Sequence, residues 1–223
     1  MSMTAQELID NVEAAIGILR ADYLGHAAES DLYEAALLAI GVAAARAAGG
    51  TTMITDDLRT VTTQLRFRTG PGNLWSRDFT FVVVEFPTTT RKLELHLGVM
   101  VMGSSGVAHE CDVAIITHNE ATRSRVHRVH PRASGLVAAI EAKNYAASPG
   151  LGVGRAFLGL GSELQQNKCN LAFPATSSTN IGRLIARKGC ECFDELTPRS
   201  PAADRLSAHL EQRVRNWVRS QRR

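Results

Sequence analysis

Asp112, in the run ECDVAII, and Glu141 with Lys143, in VAAIEAKNY, are the residues of this 223-residue chain whose types and spacing could do chemistry together. Side chains two apart on a strand point to one face, so Glu141 and Lys143 project together while Ala142 turns the other way. If the strand bearing Asp112 lies close in the same sheet, two carboxylates and an ammonium meet at one spot. Two carboxylates share a hard divalent cation that one holds poorly, and an ammonium beside them orients water and offsets charge developing on a phosphodiester. The runs leading into these residues are apolar, which places the charges at the margin of a core, where burial is costly without a partner. The competing reading is a solvated Glu141–Lys143 ion pair, which contributes little.

Such residues need a sheet to hold them. Strand-like text begins at residue 61 with VTTQLRFR and continues through FTFVVVEF, KLELHLGVMVMG, CDVAII (111–116) and GLVAAIEAKNY (135–145), separated by turn-rich stretches that suggest a meander. Beyond residue 150 the order becomes helix, strand, helix, strand, in VGRAFLGLGSELQQN, CNLAFPATS, TNIGRLIARKG and CECFDEL, as expected of one α/β domain with helical crossovers. Two helices precede the sheet. Thr4 and Glu7 have capping-box spacing ahead of Leu8, Val12 and Ile16, and a second helix is expected from Asp31 to Ala48, apolar almost all round and closed by Gly49-Gly50. The organisation read from this is an amphipathic N-terminal helix in 1–30, an α/β domain in 31–200 and a basic helix in 201–223.

Composition narrows the function. With 44% hydrophobic and 21% charged residues the chain can build a core, but at 5% aromatic it has little to spare for base- or sugar-stacking platforms. No run of 18 apolar residues and no basic-then-apolar N-terminus occurs, so a cytoplasmic protein without a membrane span is expected. Cys111, Cys169, Cys190 and Cys192 read as reduced core thiols, because Cys190 and Cys192 alternate within a strand-like run and do not form a zinc knuckle. Gly150, Gly152 and Gly154 lack the spacing of a dinucleotide loop, and no G-x-S-x-G elbow occurs. Net charge is +3, yet residues 201–223 alone carry +4 and the rest −1. Arg213, Arg215 and Arg219 on the last helix, with Arg123, Arg125, Arg128 and Arg132 in the connector 118–134, are the candidate phosphate contacts.

Asp112, the Glu141-Ala142-Lys143 triplet, and the helix, strand, helix and strand that follow it resemble the PD-(D/E)XK, or restriction-endonuclease-like, nucleases over about residues 31–196. Cys111 stands where the family's leading proline would be. The resemblance implies a central mixed β-sheet flanked by helices, and a Mg²⁺- or Mn²⁺-dependent endonuclease acting on nucleic acid, with DNA the expected substrate. Asp112 and Glu141 would hold the metal with the Ala142 carbonyl, and Lys143 would act on the attacking water. The family often adds an acid from the helix before the sheet, which here is Glu34, with Glu110 as runner-up. Asp31 and Glu34 also have N-cap to N3 spacing, so Glu34 either ligates metal or closes a helix. Gln165 or Gln166 corresponds to an auxiliary polar residue on the following helix, or to a solvated helix end. Homodimerisation or a defence or repair complex fits the same resemblance. The alternative function is a catalytically inactive module with this fold that binds nucleic acid or a partner protein.

Overall fold

The structure, a computed structural model, describes residues 3–221. Thr4 Oγ1 accepts from the Glu7 amide while the Glu7 carboxylate accepts from the Thr4 amide at 2.8 Å, so the capping box opens α1 (Ala5–Ala15). The long helix α3 (Glu29–Ala47), preceded by the single turn α2 (Ala21–Leu24), begins two residues before the expected start. Its first turn is closed by the Asp31 carboxylate, which accepts from the Ala28 amide at 2.7 Å. Asp31 is therefore a residue of the first turn and not the N-cap, and Glu34 takes no part in capping.

The central sheet has seven strands in the order β2 (Thr51–Thr55), β4 (Phe81–Glu85), β5 (Lys92–Met102), β6 (Ala108–Thr117), β7 (Leu136–Ala142), β8 (Cys169–Ala172) and β9 (Glu191–Phe193). Pairing is antiparallel from β2 to β7 and parallel from β7 to β9, which makes the sheet mixed. β4–β5 and β5–β6 join by short turns and β2–β4 and β6–β7 by longer connections, whereas the parallel pairs need crossovers. Here the crossovers are α5 (Leu151–Leu164) and α6 (Thr179–Ala186).

Helices cover both faces. Leu8 and Val12 of α1, most of α3, and Leu206, Leu210 and Val214 of α7 (Pro201–Ser220) form one buried cluster with Leu93, Leu95, Val113, Ile115, Ile140 and Ala142 of the sheet. Phe157 and Leu164 of α5, Ile181 and Ile185 of α6, and Ala121 of α4 (His118–His127) bury Ala114, Ile116, Ala139 and Leu171 on the other face. Each fully buried Leu, Ile or Val contributes about 1.5–3 kcal/mol, so both helical layers are tied to the sheet by its apolar alternation. Among the described residues no helix is long and apolar enough to cross a membrane, and the four cysteines are free.

Three segments depart from expectation. VTTQLRFR forms only β3 (Gln64–Leu65), paired with β1 (Ile18–Leu19) apart from the main sheet, because Arg66 bonds Thr80 and Arg68 reaches Leu97 O and Asn73 O, drawing the chain off as a loop. The edge strand β2 comes from TTMIT, too short and too weakly apolar to stand out beside the runs that follow. The connector 118–134 is mostly the helix α4, half of whose residues are His, Asn, Thr or Ser, which are poor helix formers. Burial of Glu120, Ala121 and Ser124 holds it instead.

Candidate functional site

β6 and β7 pair as far as Val113 opposite Ile140 and then part. At the fork Asp112 Oδ2 accepts the Ala142 N–H at 2.6 Å, replacing a ladder bond with a side-chain one. On the far side of β7, Leu171 and Ala172 of β8 stand opposite Glu141 and Ala142, and the Lys143 amide donates to Ala172 O at 2.9 Å. The triplet is thus held extended, with Ala142 packed toward α3 and Glu141 on the α5 side, where its Oε1 meets the Lys143 ammonium at 2.6 Å. Asp112 is 7% exposed.

Two cavities meet at this fork. The first, about 460 Å³, runs to the start of α5 and takes in Glu141. The second, about 370 Å³, runs to α3 and takes in Glu34 and the segment Thr69-Gly70-Pro71. Glu110, Asp112, Lys143 and Tyr145 line both. Gly98 lets the wall approach. It lies on β5 between the pairs Leu97–Val113 and Val99–Cys111, has a left-handed φ of 55°, and a Cβ there would stand 3.0 Å from Gly70 O.

The carboxylates disfavour one another's charge. Burial, followed by the charge of Asp112, pushes Glu34 up to about 8. Asp112 is raised by burial and then by Glu141, although the Ala142 N–H and Lys143 act in the opposite direction. Glu110 is raised by burial and by Glu141. Burial disfavours the Lys143 ammonium, but Glu141 and Asp112 outweigh it and raise its pKa. An excess of acidic oxygen atoms around one lysine is relieved by a bound cation, and oxygen-only donors suit a hard one. Among the described residues, however, no three His, Cys, Asp or Glu groups converge on one ion position. Glu141 is turned onto Lys143 and Asp112 onto Ala142, so the donors fit a divalent cation in kind and neighbourhood, and Glu141 must exchange its partner to serve as one.

Gln165 is not in the site. The cavity meets α5 at Gly152, Val153, Ala156, Phe157 and Leu160, whereas Gln165 follows the helix's last residue, with φ at 74°. A helix rises about 1.5 Å per residue, which carries that end roughly 20 Å from the first turn. Gln166, in the same turn, is no nearer.

Most of the expected phosphate contacts are paired within the protein. Arg123 and Arg132 hold the buried Glu120 carboxylate, with contacts of 2.6 and 2.7 Å, and Arg125 grips Glu94 through both oxygens at 2.8 and 2.6 Å. Arg215 bonds Glu211 and donates to Ala47 O at the end of α3. Glu120 lies 12 residues from Arg132 and Glu94 lies 31 from Arg125, so spacing could not pair them, whereas Glu120–Arg123 and Glu211–Arg215 stand at helical i,i+3 and i,i+4 intervals. Arg128, the left-handed C-cap of α4, and Arg219 remain exposed, while Arg213 bonds His209. Arg222 and Arg223 lie outside the described residues.

The charged cluster around Glu94 is not among the sites expected from the sequence. This fully buried residue also bonds His96 Nε2 at 2.8 Å and His118 Nδ1 at 2.6 Å. Burial opposes its charge, but Arg125, His118 and His96 hold its carboxyl well below the usual range. Only the odd presence of Glu and His inside the apolar text LELHL marked the place.

No family model, curated protein or solved structure matches this chain.

Proposed function

We propose that the chain is a metal-dependent nuclease of the PD-(D/E)XK type, hydrolysing phosphodiester bonds of nucleic acid, with DNA the first substrate to test. The observation that carries this reading is the gathering of Glu34, Glu110, Asp112, Glu141 and Lys143 where two cavities meet. Support for the restriction-endonuclease-like topology comes from the order of elements. An acid-bearing helix precedes antiparallel strands carrying Asp112 and the triplet, and a helix, a parallel strand, a helix and a further parallel strand follow.

Asp112 and Glu141 would hold a Mg²⁺ or Mn²⁺ ion, with the Ala142 carbonyl and, on the α3 side, Glu34. When bound, the ion polarises the phosphoryl oxygens and lowers the pKa of water. Lys143, released from Glu141, orients the attacking water and offsets charge developing on the phosphate. Asp112, fixed by the Ala142 amide, keeps its second oxygen for the metal.

A second reading is a catalytically inactive module of the same fold, favoured by the direct Glu141–Lys143 pair and by the lack of three converged donors among the described residues. Duplex and single-stranded DNA and RNA, incubated with Mg²⁺, Mn²⁺, Ca²⁺ or chelator, separate the two. Cleavage that needs Mg²⁺ or Mn²⁺ and vanishes in Asp112→Asn supports the nuclease. Binding of nucleic acid with no cleavage in any metal supports the module.

A further inference from the structure

At the opposite end of the sheet from Asp112, a cavity of about 410 Å³ opens between the start of β7, the turn before β8 and the outer face of α7. Thr117 at its edge lies five residues along β6 from Asp112, roughly 17 Å at about 3.4 Å per residue. Its lining contains Arg91, Lys92, Lys168 and Arg213 and, among the described residues, no carboxylate. Lys92 is paired outside the cavity with Glu85, which leaves three cations without an acidic partner there.

Lys168 is half-buried, and its ammonium donates to Ala133 O at 3.1 Å and Ser134 O at 3.4 Å, two neutral acceptors that fix its position without neutralising it. Arg213 lines the same cavity, and burial together with the Arg213 charge depresses the Lys168 pKa. Arg213 in turn donates to the neutral acceptor Nε2 of His209 at 3.4 Å and, among the described residues, has no acidic partner. Two like charges brought together and partly desolvated are costly unless an anion lies between them. Asn167, Asn216 and the Trp217 side chain complete a lining with amide donors and acceptors and one flat apolar wall. The volume exceeds that of an inorganic phosphate and matches the lower range of small-ligand pockets.

We infer that this cavity is a binding site for a phosphate ester of nucleotide size, its phosphoryl group bridging Lys168 and Arg213 and its ring lying toward Trp217 and the asparagine amides. The site is separate from the carboxylate fork and does not depend on the proposed nuclease activity. The phosphate ester is either a free mononucleotide or the terminal nucleotide of a strand.

Isothermal titration of the full chain with inorganic phosphate, a nucleoside monophosphate and a short 5′-phosphorylated oligonucleotide, in chelator so that no metal contributes, tests the assignment. The monophosphate is expected to bind at least tenfold more tightly than phosphate, and Lys168→Gln or Arg213→Gln to weaken it at least tenfold while Asp112→Asn leaves it unchanged. Competition of the oligonucleotide for the same site makes a strand end the source, and its failure to compete makes the free nucleotide the source. Absence of monophosphate binding, or equal binding by wild type and Lys168→Gln, overturns the site. Loss of binding in Asp112→Asn also overturns it, because the nucleotide would then sit at the fork. Both glutamine variants must match wild type in thermal melting, and Lys168→Arg, which keeps the charge, is expected to retain binding.

Discussion

Asp112 accepts its 2.6 Å hydrogen bond from the backbone of Ala142, the residue between Glu141 and Lys143. One side chain thereby fixes the spacing of both strands at the point where their ladder ends. Structural and chemical roles coincide in this carboxylate, and two substitutions separate them. Asp112→Asn keeps an oxygen for the Ala142 amide, so stability should change little while cleavage falls at least a hundredfold. Asp112→Leu leaves a buried N–H unpaired, at a cost of about 1–3 kcal/mol. Urea unfolding beside a cleavage assay reads both quantities.

Metal should be visible without turnover. A ligand that binds only the folded state stabilises it by mass action, and a cation at the fork also relieves the repulsion between Asp112, Glu34 and Glu141. Mg²⁺ and Mn²⁺ are expected to raise the melting temperature of the wild type, and Ca²⁺ to do so without supporting cleavage, since it tolerates irregular oxygen coordination but activates water less well. Asp112→Asn and Glu141→Gln should abolish the shift. A wild-type melting curve identical in chelator and in millimolar Mg²⁺ would contradict a metal at this site.

Lys143 makes its contact through Glu141, and its removal should therefore affect chemistry more than folding. Lys143→Met is expected to lower turnover at least a hundredfold, in line with the contribution of a positioned proton-transfer or charge-stabilising group. Substrate affinity should stay within a few-fold of wild type. A variant that loses affinity and keeps its turnover number would make Lys143 a binding residue only.

The Glu94 cluster is a structural centre with a defined pH response. Its carboxyl, and that of Glu120, which Arg132 and Arg123 draw down to about 2 against the effect of burial, have folded pKa values below their unfolded ones. Groups of this sign contribute stability that is present above the unfolded carboxylate pKa, near 4.5. That contribution is lost as pH falls toward 2. Melting temperature is expected to drop steeply between about pH 4.5 and pH 2. In Glu94→Gln that drop should be shallower, starting from a neutral-pH stability lower by about 3–5 kcal/mol because the partly buried Arg125 is left without its partner.

How far the sequence could be read depends on the range of the interactions concerned. The alternation that defines β5, β6 and β7 is local, as is the apolar text of α3 and α7, and these elements follow from periodicity. Asp112, Glu141 and Lys143 stand out for a related reason: charges at the ends of apolar strands conflict with their surroundings, and the conflict is visible in one dimension. Pairing across the fold is not. Glu120 reaches Arg132 twelve residues away and Glu94 reaches Arg125 across 31, so arginines that look free in the text of 118–134 are neutralised in space. Glu34 illustrates both sides, since its helix was legible while its release from capping depended on Asp31 turning back to the Ala28 amide. The Thr69-Gly70-Pro71 wall is set by the close approach of Gly70 to Gly98, which no local pattern encodes.

Arginines on the surface, and not those pinned to buried carboxylates, should set the salt dependence of nucleic-acid binding. Each phosphate contact adds about 0.7–0.9 to the slope of log affinity against log salt. Arg128→Ala and Arg219→Ala are the informative changes, because both side chains are exposed and neither residue has an acidic partner among the described residues. Each is expected to flatten the slope by about that increment with no change in melting temperature. Arg125→Ala should do the reverse, lowering the melting temperature by unpairing Glu94 while the slope stays fixed. Deleting the end of α7 could not make this distinction, since Val214 and Val218 are buried in the α3 cluster and their loss would open the core. Binding isotherms across a salt series, with melting curves of the same variants, decide the matter. Slopes unchanged in both Arg128→Ala and Arg219→Ala would show that nucleic acid, if bound, follows another path across the surface.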